Sequence, residues 1–183
     1  MERCDVYDAN RRLTGRTMVR GEAASPLDFH LVVHVCLFNR DGDMLIQKRT
    51  DSKQGWPGLW DVSVGGSVLA GETSPQAAVR ETKEELGWTL TLTETRPHFS
   101  LSFERGFDDF YVVTAAPARS ELMLQADEVA DVRWASETDI LRMIDEGTFI
   151  PYKKAHIALC FAMQGPIRGV SARPARAFEQ ASS

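Results

Sequence analysis

Three observations predict a mixed α/β fold for this chain. Strand-like and helix-like stretches alternate along it without an internal repeat. His30 to Phe38 is apolar on both alternating sets of positions, the pattern of a central strand buried on both faces. At 183 residues, 43% hydrophobic and 26% charged, the chain is long and apolar enough for a full core in one compact domain.

The elements follow in order. Asp5 to Arg16 reads as a short hairpin turning near Asp8-Ala9-Asn10, and Gly21 to Asp28 as a loop. After the central strand, Asn39-Arg40-Asp41-Gly42-Asp43 is a strong turn and Met44 to Arg49 the returning strand. Asp61 to Val64 is a short strand running into Gly65-Gly66. Ser74-Pro75 starts a helix, with Ser74 as cap, and Gln76 to Leu86 carries no breaker before Gly87, placed for a left-handed C-terminal cap. Thr89 to Thr95 alternates as a strand would. Phe99 to Phe103 and Phe107 to Ala115 form a hairpin around Glu104-Arg105-Gly106, and Val129 to Trp134 is the last strand. A helix follows from Glu137 to Glu146, capped by Ser136 with Asp139, and another from Tyr152 to Met163. Residues 166–183 lack periodicity and are expected to be a mobile tail.

Composition excludes several classes. A net charge of −5 argues against a long nucleic-acid partner held by a basic surface, though not against nucleotides. Cys4, Cys36 and Cys160 are odd in number and far apart, so a disulfide framework is not expected and a reducing cytoplasm is favoured. The first residues hold no signal-peptide core, and no apolar run approaches a membrane span.

The stretch from Gly66 to Trp88 carries the chemistry. Gly66, Glu72, Arg80-Glu81, Glu84-Glu85 and Gly87 stand at the spacing Gx5Ex7REUxEExGU, where U is a bulky apolar residue. Seven fixed letters at that spacing arise by chance on the order of once in 10^7 to 10^9 starting positions. At about 100° per residue, Ala78, Val79, Thr82 and Leu86 form the inward stripe, with Glu81 and Glu85 beside it and Glu84 flanking. Three carboxylates so close repel one another, which a helix built only for stability would avoid. Clustered hard oxygen donors suit a divalent cation such as Mg2+ or Mn2+. An isolated ExxEE triplet is usually a solvated face, and Arg80 could pair with Glu84 alone; the accompanying glycines and Glu72 decide against that reading.

This stretch is the Nudix box, and the chain resembles the Nudix hydrolase superfamily from about Asp5 to Met163. Thr82 departs from the usual aliphatic residue. The resemblance implies an α/β/α sandwich with a mixed central sheet, comprising residues 1–165 with a core at 28–163 and the N-terminal hairpin at 5–16. It implies a metal site made by Gly66, Glu81, Glu84 and Glu85 holding Mg2+ or Mn2+, which would activate a water to attack phosphorus. Arg80 would orient a carboxylate, and Glu72 would close the loop. The general base is either Glu81 or a later acid, with Glu128 preferred and Asp108 and Asp109 following. The partner implied is a small-molecule diphosphate, with no membrane and with a homodimer left open.

The segment Gln47-Lys48-Arg49-Thr50, Ser52-Lys53 and Trp56-Pro57-Gly58-Leu59-Trp60 is similar to type I isopentenyl-diphosphate isomerases and related hydrolases. In that comparison Arg49 and Lys53 bind the diphosphate, which suits a guanidinium fork and an ammonium point charge. Trp56 and Trp60 either wall a base or sugar pocket or pack in the core, and aromatics beside a Pro-Gly turn favour packing. Gly65 stands where the isomerases carry a catalytic Cys, and Ser67 where they carry a metal-binding His. His30 matches another of their metal histidines; with His34 it projects to one strand face, and both read as core or pocket-wall residues. With Glu81, Glu84 and Glu85 intact, the expectation is hydrolysis of a nucleoside diphosphate linked to another group, or a similar organic diphosphate. An isomerase and a non-catalytic nucleotide-binding regulatory module are the alternatives.

Overall fold

A computed structural model describes residues 2–22, 25–92 and 96–165. The expected tail at 166–183 lies outside the described residues. Strand β3 (His30–Phe38) is the axis of the fold. It runs parallel to β8 (Gly106–Thr114), which in turn pairs antiparallel with β7 (Phe99–Phe103). On its other side β3 has two partners in succession. Strand β4 (Met44–Arg49) joins it through the single pair Phe38↔Met44, and β6 (Val64–Ser67) takes over along Val32 to Val35. Strand β4 continues the sheet to β5 (Trp60–Asp61) and β9 (Val129–Ala135). The sheet therefore forks where β4 and β6 part.

Alternation along β3 explains its continuous apolarity. Val33, Val35 and Leu37 pack towards helix α1 (Ser74–Leu86) with Ala77, Ala78 and Leu86. Cys36 and Phe38 pack on the opposite side with Ile140 of α2 (Glu137–Asp145) and Ile157 and Cys160 of α3 (Lys154–Ala162). Helices on both faces of a mixed sheet give the α/β/α layering that the sequence predicts. Among the described residues no helix is long and apolar enough to cross a membrane.

Several boundaries differ from expectation. The N-terminal hairpin is longer than 5–16, pairing β1 (Arg3–Tyr7) with β2 (Leu13–Val19) as a separate sheet. It docks on the loop ahead of α1, where Ala70 N–H donates to the Arg3 carbonyl (2.8 Å) and Gly71 N–H to Asp5 Oδ2 (2.8 Å). The strand expected at Asp61 to Val64 is two strands, and the second runs through both glycines to Ser67. Thr89 to Leu92 pairs with no strand; its alternation reflects buried Leu90 between exposed Thr89 and Thr91, and 93–95 lie outside the described residues. Tyr152 precedes α3 and donates its hydroxyl to Asp61 Oδ1 (2.9 Å).

Candidate active site

Helix α1 is capped by Thr73, one residue before the expected Ser74. Gln76 Oε1 accepts from Thr73 N–H (2.9 Å), so the side chain three residues on reaches back to the cap. Ser74 is instead bonded to Asp109 (2.7 Å) and Tyr111 (2.9 Å). Gly87 closes the helix in the left-handed conformation, at φ 64°.

The inward stripe also differs. Ala77, Ala78, Glu81, Thr82, Glu85 and Leu86 are buried, while Val79 is only partly so. Glu81 and Glu85 thus lie within the stripe rather than beside it, 7% and 2% exposed. Thr82 tolerates full burial because its hydroxyl donates to the Ala78 carbonyl (2.7 Å).

Each buried carboxylate meets a complementary feature of the forked sheet. Glu85 Oε2 sits in the fork, accepting from Gln47 Nε2 on β4 (2.8 Å) and more distantly from Gly65 N–H on β6 (3.4 Å). Glu81 packs against Gly66, where no side chain stands in its way. Burial pushes the Glu81 carboxyl up to about 7 against the opposing charge of Arg80. Burial, reinforced by the Glu81 charge, pushes Glu85 up to about 8 against the Gln47 hydrogen bond.

Arg80 ties these parts together. Its guanidinium holds both oxygens of Glu72 (2.9 and 3.0 Å), Glu81 Oε1 (2.9 Å), Glu84 Oε2 (2.8 Å) and the Ser67 carbonyl (3.0 Å). Glu72 also accepts from Leu69 N–H (3.0 Å), the loop-closing role expected of it.

Two cavities meet here. One, of about 430 Å3, is lined by Glu81, Glu84 and Glu128 with Glu2, Arg20 and Gln125. The other, of about 510 Å3, is bounded by Arg49, Trp56, Asp61, Asp108 and Tyr152 among others. Both are bordered by Arg20 and Gly65, which stand at their junction.

The expected phosphate cations are already engaged within the protein. Lys53 Nζ donates to Glu128 Oε2 (2.6 Å), joining the expected phosphate ligand to the preferred general base. Arg49 Nε donates to the Gly55 carbonyl (2.9 Å), with another nitrogen 3.6 Å from Asp61. Asp109 is not available as a base. It is fully buried and held by Arg11 (2.5 Å), Ser74 (2.7 Å) and Ser100 (2.5 Å), because alternation along β8 turns it away from Asp108. Asp108 faces the larger cavity and pairs with His34 Nε2 (3.1 Å). His30 and His34 line that cavity too, His34 stacked on Phe110 at 4.6 Å.

The sequence alone does not mark Arg20, Glu2, Asp61 or Tyr152 as site residues, and it offers Gln47 only within the segment similar to the isomerases. Gln47 had a signal, a polar residue closing the apolar run Met44-Leu45-Ile46. Arg20 had none, since only folding of the hairpin brings it to the box helix.

Among the described residues, no three His, Cys, Asp or Glu side chains already surround one point as a metal centre. The donors nevertheless fit a hard divalent cation. Two buried carboxylates one helical turn apart, both raised in pKa by burial, are a site short of positive charge. Mg2+ needs only one or two carboxylates and keeps several waters.

Residues 28–154 match the protein-family model described as the NUDIX domain. The chain is 52% identical over 152 residues to an uncharacterized Nudix hydrolase of Listeria innocua, covering 83% of this chain and 90% of that one. It is 39% identical over 123 residues to an isopentenyl-diphosphate Delta-isomerase of Salmonella arizonae, covering 63% and 66%. The solved structure of DR0079 from Deinococcus radiodurans superposes with a TM-score of 0.72 at 26% identity, over 90% of this chain and 100% of that one.

Proposed function

Because this chain belongs to the Nudix hydrolase family, whose members act on pyrophosphate bonds, we propose that it is a metal-dependent pyrophosphohydrolase. Its substrate is a nucleoside diphosphate linked to another group, or a similar organic diphosphate. The observation that carries this reading is the buried pair Glu81 and Glu85, set in the strand fork and braced by Arg80 and Gln47. Nudix enzymes generally use divalent metals.

Glu81, Glu84 and Glu85, with the Gly66 carbonyl, are the residues that would hold Mg2+ or Mn2+. Bound there, the cation supplies charge neutralisation at the phosphate oxygens and acidifies water. Arg80 fixes the positions of Glu81 and Glu84. Glu128 and Glu81 line one cavity, and either one, with Glu128 preferred among the later acids, is the acceptor for the proton of the attacking water. The anhydride P–O bond breaks as the water oxygen attaches to phosphorus, giving two phosphate-bearing products. Arg20, at the junction of the cavities, and Arg49, in the larger one, can take phosphate oxygens. Such chemistry rests on positioning and charge stabilisation and needs no protein nucleophile.

The isomerase alternative lacks its thiol. Gly65 occupies that position, and neither cavity is lined by a cysteine. Cys36 is fully buried in the core cluster that also holds Cys160, and that neighbouring thiol and its burial raise its pKa well above the ordinary value. The deciding experiment offers nucleotide diphosphate derivatives and isopentenyl diphosphate with Mg2+ or Mn2+. Phosphate-bearing hydrolysis products that disappear with chelator are expected. Full turnover in excess chelator, or dimethylallyl diphosphate formed at enzyme-like rates, would overturn the reading.

A further inference from the structure

The two tryptophans flanking the Pro-Gly turn have opposite fates. Trp60 is partly buried in β5, with the Arg133 guanidinium 4.6 Å from its ring centre. Trp56 is 52% exposed and borders the larger cavity. Its backbone is also unusual. Among the described residues only Arg11 and Trp56 adopt positive φ without being glycine, Trp56 at 53°. A bulky side chain pays for that conformation, and such strain persists only where the surroundings enforce it.

The surroundings do so. Arg49 Nε holds the Gly55 carbonyl (2.9 Å), Gly58 N–H donates to the Thr50 carbonyl (3.3 Å), and Leu59 N–H donates to the Trp56 carbonyl itself (3.5 Å). The turn is thus fastened on both sides of a ring that it leaves half in solvent. Exposing a strained indole gives the isolated fold nothing. It gives a ligand a planar apolar face.

The other residues lining the cavity narrow the ligand. Phe103 and Tyr152 add aromatic wall to that cavity, while its carboxylates are already engaged, Asp61 by the Tyr152 hydroxyl and Asp108 by His34. Arg20 and Gly65 connect this space to the carboxylate cavity. We infer that Trp56 is a specificity-determining residue, stacking on the planar aromatic ring of a nucleobase while the diphosphate lies towards Arg20 and the box glutamates. This rests on the diphosphate reading above and names the group beyond the phosphates. A saturated or isoprenyl chain would meet the apolar wall but offer the indole no planar face to stack on.

The test compares two non-hydrolysable diphosphates with Mg2+ by calorimetry: α,β-methylene-ADP, which carries a base, and methylenediphosphonate, which does not. The proteins are the wild type, Trp56→Ala and Trp56→Phe, with circular dichroism confirming the fold. Wild type should bind the nucleotide analogue at least about tenfold more tightly. Trp56→Ala should weaken nucleotide binding roughly 5- to 150-fold, the range for one lost base stack, and leave methylenediphosphonate unchanged. Trp56→Phe should retain most of the affinity. An equal loss for both ligands, no preference in the wild type, or no binding of either overturns the inference. Failure of the hydrolase reading is distinguishable, since it shows as absent turnover whatever these affinities are.

Discussion

Gly66 and Glu81 claim the same space: a β-carbon on Gly66 would lie 2.0 Å from the Glu81 carboxyl carbon and from its Oε1. The glycine is required by proximity, since its φ is not among the positive ones. Gly66→Ala should fold, because a carboxylate at the end of a flexible side chain can swing away. That swing removes it from the site, so kcat should fall by about 10^2-fold or more. Thermal unfolding and steady-state kinetics check this together; unaltered kinetics would mean that Glu81 does not act from this position.

Glu81 and Glu85 make stability depend on pH. Burial raises their pKa values from the ordinary 4.5 to about 7 and about 8. Between pH 4.5 and 8 the folded chain therefore holds protons that the unfolded chain has released. Their contribution is complete below pH 4.5 and lost as pH rises through 7 to 8. With chelator present, the wild-type Tm should decline from pH 5 to pH 8, and Glu85→Gln should flatten that decline. Mg2+ should raise the wild-type Tm more at pH 8 than at pH 5, because the cation needs ionised ligands. Scanning calorimetry across that range decides it, and identical slopes in the two proteins would count against the assignment.

Arg80 should not be replaceable by Lys. Its fork bridges three carboxylates and a carbonyl, and an ammonium cannot span the same set. Arg80→Lys is expected to lower kcat by about 10^2-fold through misplaced carboxylates. Kinetics beside urea unfolding separates this from simple loss of fold.

Lys53 and Glu128 should behave as a unit. Lys53→Ala removes the 2.6 Å contact and leaves Glu128 unrestrained in its cavity. We expect kcat to fall more than KM rises, and the effect to be non-additive with Glu128→Gln. Arg49→Ala should instead raise KM. A rise in KM alone for Lys53→Ala would show that this ammonium reaches the substrate.

Gln47→Leu should strand Glu85, which accepts its 2.8 Å hydrogen bond in the fork. Loss of a buried partner costs about 1–3 kcal/mol. Urea unfolding at pH 7 measures it, and restoration of stability by Mg2+ would link the site to the cation.

Local rules were enough for the family, the box helix and the α/β layering. Periodicity, caps and motif spacing involve residues a few positions apart, so the chain displays them directly. The left-handed Gly87 cap and the doubly apolar β3 are of this kind. Depth was less legible. Glu81 and Glu85 fell beside the helix stripe by angle, yet the gap between β4 and β6 allows them to be buried. Pairing between distant residues was not legible at all. Lys53 with Glu128 and Arg49 with Asp61 depend on which segments fold against each other. Trp56 and Trp60 look alike in the sequence, and one turn's backbone leaves the first in solvent while the second packs under Arg133. Spacing along a chain records neighbours within one element. Burial, charge pairing and cavity walls arise between elements, where separation in sequence carries no distance.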